Sequence, residues 1–494
     1  IVKDALDSPL IGVSIVLKGT TQGVISDVDG RFALSAKQGD VLQISYVGYV
    51  TQEVKVDGNK LLQITMQEDL LNLEEVVVVG YGTQKKVNLT GSVSSVSSDA
   101  LESRPITQAS QALSGLVSGV TISQSSGSPG GDQATIRIRG LGTFSGAGCD
   151  PLVLIDGLSG SINDVDPNNI ETITVLKDAA SAAIYGTRAA NGVILIETKR
   201  GKKGKIQVSY NGYVGVQRAT ELPDLLDSWD YATLKNEADI NGGGSATYTD
   251  AEIELFRNGT DPDNYPNVNH MKDLVTSGSG FQTGHNVSFS SGTDRLSYMF
   301  SMGYLRHEGI VAKNDYTKYN FQLNVDNQIL SNLSLKASFS GYTSQTNEPY
   351  TGDGDMNRMI GMSVRENAAI PGRKSDGTYG YQDLFCPEGW MDSQSFLQDN
   401  YKNLLAGVEV SWEPLKGLVL SGKVGYNYTT YYNKKYISEL VFDENYTYSP
   451  NSLNVSNGNE NLTTLQFLAK YGKTFNKEHR LDVMFGISQE SFLG

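Results

Sequence analysis

From Lys205 onward, apolar and polar residues alternate over stretches long enough to form complete β-strands. The clearest case is YNFQLNVD, in which every second side chain is aromatic or aliphatic: Tyr319, Phe321, Leu323 and Val325. A side-chain period of two over such lengths predicts strands with one apolar and one polar face. We count about nine such strands after Lys205, most of them long enough to cross a thin bilayer when tilted.

The connections between these strands alternate in length. Short turns are predicted at SGTD, NQILSN, EPLKG and TFNKEH, and long loops over residues 219–284, 343–403 and 430–462. Short turns at one end and long loops at the other are typical of a transmembrane β-barrel, whereas a soluble sandwich has no reason to keep one end short. Residues 205–494 are therefore predicted to form part of an antiparallel barrel. Because so few strands cannot close a barrel, we expect the chain to be the N-terminal part of a longer protein.

The first 204 residues have a different texture. Residues 1–67 contain short strand patterns separated by Gly and Asp turns, which predicts an immunoglobulin-like β-sandwich of about seven strands. Residues 68–86 are a predicted linker. Residues 87–204 predict an α+β unit with strands in ATIRIRG, PLVLIDG and NGVILIETKRG. One helix is predicted over NIETITVLKDAASAAIYG, which starts at a polar cap and ends at Gly186.

Composition supports a β-rich protein and excludes some functions. The chain has 53 glycines and 26 tyrosines among 494 residues, as expected for many turns and half-exposed aromatic rings. A net charge of -15 argues against nucleic acid as a partner, because phosphate binding requires a local excess of basic residues. Cys149 and Cys386 lie far apart in sequence, and we do not expect a disulfide between them.

Motifs for catalysis are missing from the sequence. None of the four histidines belongs to an H-E-x-x-H pair or a Cys/His cluster, and no G-x-S-x-G elbow occurs. We therefore expect neither an enzyme nor a resident cofactor. TGDGDMN places Asp353, Asp355 and Asn357 at calcium-loop spacing, but Arg358 stands where the glycine of the sharp turn belongs. A solvated acidic loop is the preferred interpretation, with calcium as the alternative.

The segment NLEEVVVVGYGTQKK, residues 72–86, puts four consecutive valines into the predicted linker. β-branched residues favour a strand. The strand could be buried in a neighbouring domain. Alternatively, it could stay exposed and add itself to the sheet of another protein through its backbone groups.

These motifs together resemble a known family. NLEEVVVVGYGTQKKVNLTGSVSSV is similar to the signature of SusC-like TonB-dependent outer-membrane transporters, and GDQATIRIRG, PLVLIDG and ETITVLKDAASAAIYGTRAANGVILIETKRGK match the family pattern in the same order. Residues 1–67 resemble the carboxypeptidase-regulatory-like domain that precedes the plug in this family. The resemblance implies a mainly β protein: an Ig-like sandwich, then an α+β plug inside a transmembrane barrel, which is 22-stranded in the family and incomplete here.

The resemblance also implies a function, a location and partners. It implies active import of a large nutrient, glycan fragments or peptides, across the outer membrane of a Gram-negative bacterium. A SusD-like surface lipoprotein would close over the ligand, and the TonB–ExbB–ExbD complex would supply energy. The TonB box would be the residues Glu74, Glu75, Val76, Val77, Val78, Val79 and Gly80. Two alternatives stay open: a surface receptor or adhesin anchored by a barrel, and an iron-chelate or cobalamin importer.

Two further sets of residues follow from this interpretation. Arg137, Arg139 and Arg188 of the plug could pair with acids on the barrel wall, although ordinary surface arginines are equally compatible with the sequence. Ligand contacts are predicted from loop aromatics, with Asp392 as a polar neighbour: Tyr350, Tyr379, Tyr381 and Trp390. For each of these rings, ordinary loop packing is the alternative.

Overall fold

The computed structural model describes residues 1–494 except 5–7, 19–21, 47–48, 50, 57–61, 67–75, 80–81, 86–91, 103–106, 144–147, 353, 383–385 and 476–478. The chain divides into two compact units. The first consists of residues 1–93 with 183–185, and the second of residues 94–182 with 186–494.

The first unit is built around a small β-sandwich. Its strands are β1 (Val2–Lys3), β2 (Ser14–Leu17), β3 (Gly23–Ile25), β4 (Val41–Ser45), β5 (Gln52–Lys55) and β6 (Ile64–Thr65). Four of them form a sheet in the order β3-β2-β4-β5, while β1 pairs with β6 in parallel. The apolar residues of these short strands form the core: Val2, Val13, Ile15, Leu42, Ile44, Ile64 and Met66. The described strands number six, one fewer than the sequence predicts.

The valine segment forms a hairpin of its own. Strand β7 (Val76–Val79) pairs antiparallel with β8 (Gly82–Lys85), with Val76 opposite Lys85 and Val79 opposite Gly82. Among the described strands these two make a separate two-stranded sheet. A lone hairpin is only marginally stable in water, so this pairing can be exchanged for another at little cost.

The second unit begins with an α+β region. Its strands are β9 (Val93–Ser97), β10 (Val120–Gln124), β11 (Ala134–Ile138), β12 (Leu152–Ile155), β13 (Leu158–Ser159), β14 (Ile170–Leu176) and β15 (Val193–Thr198). Its helices are α1 (Ser98–Glu102), α2 (Ala109–Ala112) and α3 (Ala179–Ala182), with 3-10 turns at Ile162–Asp164, Pro167–Asn169 and Ala183–Ala189. Five strands form a mixed sheet in the order β13-β12-β15-β14-β9, and β10 pairs with β11.

The helix predicted over NIETITVLKDAASAAIYG is wrong in its first half. Ile170–Leu176 is strand β14, in which Ile173 and Val175 are fully buried. Its β-branched residues fit a pleated sheet, and pairing with β15 outweighs the polar residues that suggested a helix cap. The helical part shrinks to α3 and a 3-10 turn, where Gly186 supplies a φ of 63°.

A large antiparallel sheet makes up most of the second unit. Its nine strands are β16 (Gly204–Val216), β17 (Phe281–Gly292), β18 (Leu296–Glu308), β19 (Asp315–Leu330), β20 (Leu333–Pro349), β21 (Phe396–Leu415), β22 (Leu418–Ile437), β25 (Ser452–Phe475) and β26 (His479–Leu493), while β23 (Leu440–Val441) and β24 (Thr447–Tyr448) pair with each other in a loop. Each long strand pairs with the next long strand in the chain. The sheet is therefore an incomplete barrel, and the protein is mainly β as predicted.

The two faces of this sheet have inverted polarity. On β19, Tyr319 and Phe321 are 55% and 39% exposed, whereas Gln322 and Asn324 are 2% and 0% exposed. The alternation predicted from YNFQLNVD is thus present, with the apolar face outward and the polar face inward. Such a surface is typical of a barrel wall that meets lipid.

Short and long connections lie at opposite ends of the sheet. The short ones cover residues 293–295, 331–332 and 416–417, and the long ones 217–280, 350–395 and 438–451. The long loops are shorter than predicted, because the Thr-, Asn- and Tyr-rich ends of the strands continue their pairing. Five loop helices follow: α4 (Ser228–Asn241), α5 (Asp250–Asn258), α6 (His270–Val275), α7 (Met356–Arg365) and α8 (Pro387–Asp392). In the described parts of the chain, no helix is both long enough and apolar enough to cross a membrane.

The outward face yields a testable prediction. We expect Phe321→Lys, near the middle of β19, to cost about 2–4 kcal/mol of folding free energy in phospholipid vesicles, because a charge would face hydrocarbon. The control is Leu330→Lys at the short-turn end of the same strand, for which we expect about 0–1 kcal/mol. Reversible urea unfolding of both variants measures the difference, and equal costs would contradict a lipid-facing wall.

Candidate functional site

The polar inner face of the sheet contacts the α+β region, here called the plug region (residues 94–182 and 186–200). Asp166 accepts hydrogen bonds from the amides of Asn286 on β17 (3.1 Å) and Asn320 on β19 (2.8 Å). Asn324 donates to the hydroxyl of Thr198 (2.8 Å) and to the carbonyl of Lys199 (2.7 Å). Three amides on the inner face of the sheet therefore find their partners in the plug region.

Basic residues add charge-assisted contacts at the same boundary. Arg200 pairs with Asp326 of β19 at 2.8 Å. The ammonium of Lys318 donates to the carbonyl of Asn163 at 2.8 Å, and that of Lys423 donates to the carbonyl of Asp156. Each hydrogen bond of this kind contributes only about 0.5–3 kcal/mol net, so the boundary is strong in sum and weak contact by contact.

The three predicted arginines occupy different positions. Arg188 pairs with Glu490 of β26 at 2.5 Å and donates to Ser159 at 2.9 Å, so it lies at the boundary with the sheet. Arg137 instead pairs with Asp150 inside the plug region. Arg139 is exposed and has a φ of 58°, with its main-chain N–H bonded to Gly119.

The strand asparagines carry much of this boundary and were not singled out from the sequence. Asn286, Asn320 and Asn324 lie on the polar faces of β17 and β19, and Asn286 and Asn324 are buried. The signal was available: in the alternating pattern they stand on the face opposite the aromatic residues. What the sequence does not supply is the plug residue that each of them meets.

One apolar residue of the plug region is inserted into the sheet. Leu158 on β13 is buried against Gly407 of β21 and Gly425 of β22, which lie directly opposite each other in register. A Cβ atom at Gly407 or Gly425 would come within 2.8 Å and 2.2 Å of the leucine methyl groups. The paired glycines thus form a slot that any larger side chain would fill.

A second close approach involves a plug loop. Gly130 has a φ of 73°, and a Cβ atom there would lie 2.5 Å from the ring of Tyr316 on β19 and 2.8 Å from the hydroxyl of Thr346 on β20. Only glycine combines this left-handed backbone with contact at such short range. The serine- and glycine-rich segment SSGSPGGDQ therefore contains a docking point on the wall.

A polar cavity of about 710 Å³ lies between the plug region and the long-loop half of the strands. The plug contributes Gln108, Ser159 and Asp164 to its lining, and burial raises the pKa of Asp164. The strands contribute charged groups and tyrosines: Lys318, Tyr342, Tyr401 and Glu460. Aromatic faces beside hydrogen-bonding groups suit a polar ligand that also has apolar surface, such as a sugar or a peptide.

Two of the four loop aromatics predicted to contact ligand are buried within the loops. Trp390 and Tyr379 are buried in a loop core with Met359, Met362 and Phe442. They hold the long loops together, because burying large apolar rings stabilises those loops more than leaving the rings exposed.

The other two loop aromatics also contact the protein itself. Tyr350 accepts a hydrogen bond from Lys435 at 2.7 Å, and Tyr381 packs against Phe442 and Tyr446. Both remain half-buried. Tyr342 and Tyr401 of the cavity therefore join the two half-buried loop rings as candidates for ligand contact.

The remaining predicted residues have modest roles in the described part of the chain. Asp355 caps α7 by accepting from the N–H of Asn357 at 3.0 Å, while Asp353 lies outside the described residues. Both cysteines are free, and Cys386 is buried. In the valine segment, Val76–Val79 form β7, and Glu74, Glu75 and Gly80 lie outside the described residues.

Comparison with known proteins identifies the parts of the chain. The CarboxypepD_reg-like domain model matches residues 1–78, and the TonB-dependent Receptor Plug Domain model matches residues 85–193. The chain is 39% identical over 343 residues to the TonB-dependent receptor SusC of Bacteroides thetaiotaomicron, covering 66% of this chain and 31% of that protein. It is 32% identical over 496 residues to the TonB-dependent receptor P26 of Formosa agariphila, covering 97% of this chain and 47% of that protein.

Solved structures show the same fold. The RagAB peptide importer in the open-open state superimposes with a TM-score of 0.71 at 22% identity, over 85% of this chain and 49% of that chain. The chain therefore spans less than half the length of each of these relatives.

The glycine slot generates a testable prediction. We expect Gly425→Ala to push Leu158 out of place and to destabilise docking of β12 and β13 by about 1–3 kcal/mol, the usual effect of overpacking. Amide hydrogen exchange of residues 152–159 measures the loss. The control is Gly422→Ala on the same strand, where a Cβ atom meets nothing within 4 Å. Adding Leu158→Ala to Gly425→Ala should restore part of the protection, and additive losses would argue against the slot.

Proposed function

Because this chain belongs to the SusC-like TonB-dependent receptors, we propose that it takes part in TonB-dependent import of a large nutrient across the outer membrane of a Gram-negative bacterium. The proposed organisation is a regulatory-like sandwich over residues 1–67, a linker with the TonB box over 68–86, a plug over 87–204 and the first part of the barrel over 205–494. The proposed nutrient is a glycan fragment or a peptide.

The observation that carries the proposal is the polar boundary between plug region and sheet. A folded plug held inside a wall by many individually weak polar contacts can be loosened and re-docked without unfolding the wall. A transporter needs this property, whereas a barrel that serves only as an anchor does not. The cavity at the long-loop end would hold the ligand above the plug. A ligand bound there would contact plug residues, which could respond to its presence.

The proposed partners act from opposite sides of the membrane. A SusD-like lipoprotein would cover the long-loop end, where residues 217–280 and 350–395 project from the strands. The TonB–ExbB–ExbD complex would act on β7 from the periplasm. Among the described strands β7 pairs with β8 alone, so a partner strand would add to β7 or take the place of β8.

The coupling strand generates a prediction that needs no knowledge of the ligand. We expect Val78→Pro to reduce capture of the protein by the purified periplasmic domain of TonB at least about tenfold, because proline cannot donate to a β-ladder and disfavours pairing. The matched variant Val78→Thr keeps the β-branched shape and the N–H group, and should be captured as well as the unmodified protein. Equal capture of both variants would contradict backbone pairing at β7.

Deletion of Glu74–Gly80 tests import itself. Cells that carry the deleted protein should fail to grow on the glycan or protein digest that supports growth of cells with the intact protein. Binding of that digest to the cell surface should be unchanged, because the cavity and the loops are intact. Growth of the deletion strain at the normal rate would refute energy coupling through this segment, and loss of surface binding would show that the deletion damages the receptor more widely.

A further inference from the structure

A histidine and two glutamates from three loop helices lie close together. All three are distant in sequence from the plug region. His270 is the first residue of α6, Glu366 directly follows α7, and Glu388 lies in the first turn of α8. The first comes from the long loop 217–280, and the other two from the loop 350–395. Packing of these helices around the buried loop core fixes the three side chains relative to one another.

The donor atoms of the three residues are close enough to share one ion. The Nδ1 atom of His270 lies 2.7 Å from Oε1 of Glu388 and 3.9 Å from Oε2 of Glu366. One donor atom from each residue lies within 4.8 Å of the others. Ligands that bind Zn²⁺ at about 2.0–2.2 Å lie about 3–4 Å apart, so small side-chain adjustments would complete such a group.

The group is buried, and several of its polar atoms have no partner in the described part of the chain. The side chains of His270 and Glu366 are 1% and 0% exposed, and that of Glu388 is 21% exposed. Nε2 of His270, both carboxylate oxygens of Glu366 and Oε2 of Glu388 make no hydrogen bond. A buried carboxylate without a hydrogen-bond partner is costly, and Glu366 is such a group, with a second carboxylate, Glu388, beside it.

The electrostatics around Glu366 favour a cation. Glu366 lines a cavity of about 360 Å³ whose wall includes Asp224, Asp227 and Arg365, so acids outnumber bases around it. An acidic cavity of this kind raises the local concentration of cations.

We propose that His270, Glu366 and Glu388 bind one divalent first-row transition-metal ion, of which Zn²⁺ is the representative. Two carboxylates and a neutral imidazole around a dication leave no net charge in the buried site. An imidazole with two carboxylates is a ligand set that suits Zn²⁺, whereas Ca²⁺ prefers six to eight oxygen ligands. Cys386 is buried and lies two residues before Glu388, but its thiol is not one of the three grouped donors.

The ion would tie two long loops together. Because its ligands come from separate loops, it would close a chain segment of nearly 100 residues between His270 and Glu366 and reduce the entropy of the unfolded loops. This inference depends only on loop residues. It stands whether or not the protein is energised by TonB.

Metal counting on the purified protein tests the proposal. The tag-free protein in detergent is stripped with a chelator, incubated with Zn²⁺ and desalted, and zinc is measured by mass spectrometry. We expect about one zinc per chain and a higher unfolding temperature, with no such effect of Mg²⁺ or Ca²⁺. Glu366→Gln should bind zinc more than about 100-fold more weakly, since loss of a ligand exceeds the 10–100-fold effect of losing an outer partner.

Two controls keep the test decisive. Glu254→Gln removes an exposed acid of α5 in the loop 217–280, which also carries His270, and should leave zinc binding unchanged. His270→Gln should lose zinc as Glu366→Gln does. If the unmodified protein binds no stoichiometric zinc, the proposal is overturned, and a higher unfolding temperature of Glu366→Gln would then show that the two glutamates share a proton. The zinc content of the unmodified protein decides the matter even if every variant fails to fold.

Discussion

The inverted polarity of the nine-stranded sheet is the constraint from which the rest follows. Its apolar side chains face outward, so its polar side chains face inward, where each one without a partner would cost about 1–3 kcal/mol. In the plug region, Asp166 accepts hydrogen bonds from the amides of Asn286 and Asn320 on the strands. The amide of Asn324 donates to the hydroxyl of Thr198 and to the carbonyl of Lys199. The plug region therefore supplies hydrogen-bond partners to these strand amides, and the wall in turn determines where the plug region can sit.

This division also shows how the plug region keeps its own fold independently of its contacts with the wall. Its apolar residues are used internally, around Ile173, Val175 and Ile194 of its central strands. At the boundary, apolar contact is concentrated where Leu158 enters the slot beside Leu405. An interior core with a polar rim behaves as a body that can shift, since hydrogen bonds lost to the wall can be replaced by water, whereas a shared apolar core could not be opened so cheaply.

Sequence patterns predicted the parts of the structure that depend on periodicity. The nine long strands follow from the alternation of apolar and polar residues, because one face of the sheet meets a different medium from the other. The end of the sheet that bears short turns follows from the lengths of the connections. Strand β14 was misread, since its polar start and following alanines imitate a helix and only pairing with β15 decides the outcome. The pairing of Arg137 with Asp150 and the burial of Trp390 were equally invisible, because local sequence does not reveal which distant segment a side chain will meet. His270, Glu366 and Glu388 form a group only after α6, α7 and α8 have packed.

The order of strands in the plug sheet determines where a pull on β7 would act first. Thirteen residues separate Val79 from Val93 and, once straightened, would span about 45 Å before force reaches β9. Strand β9 lies at one edge of the sheet, next to β14, and β13 with Leu158 lies at the other edge. An edge strand is hydrogen-bonded to the sheet on one side only. In β9, Ser94 additionally accepts a hydrogen bond from Lys177 at 2.7 Å. Under a pull, β9 would therefore separate from the sheet first, while β13 at the opposite edge keeps Leu158 in the glycine slot. Partial opening along β9, with the Leu158 contact retained, therefore demands less work than expelling the whole plug, and it leaves a docked edge from which the sheet can reform.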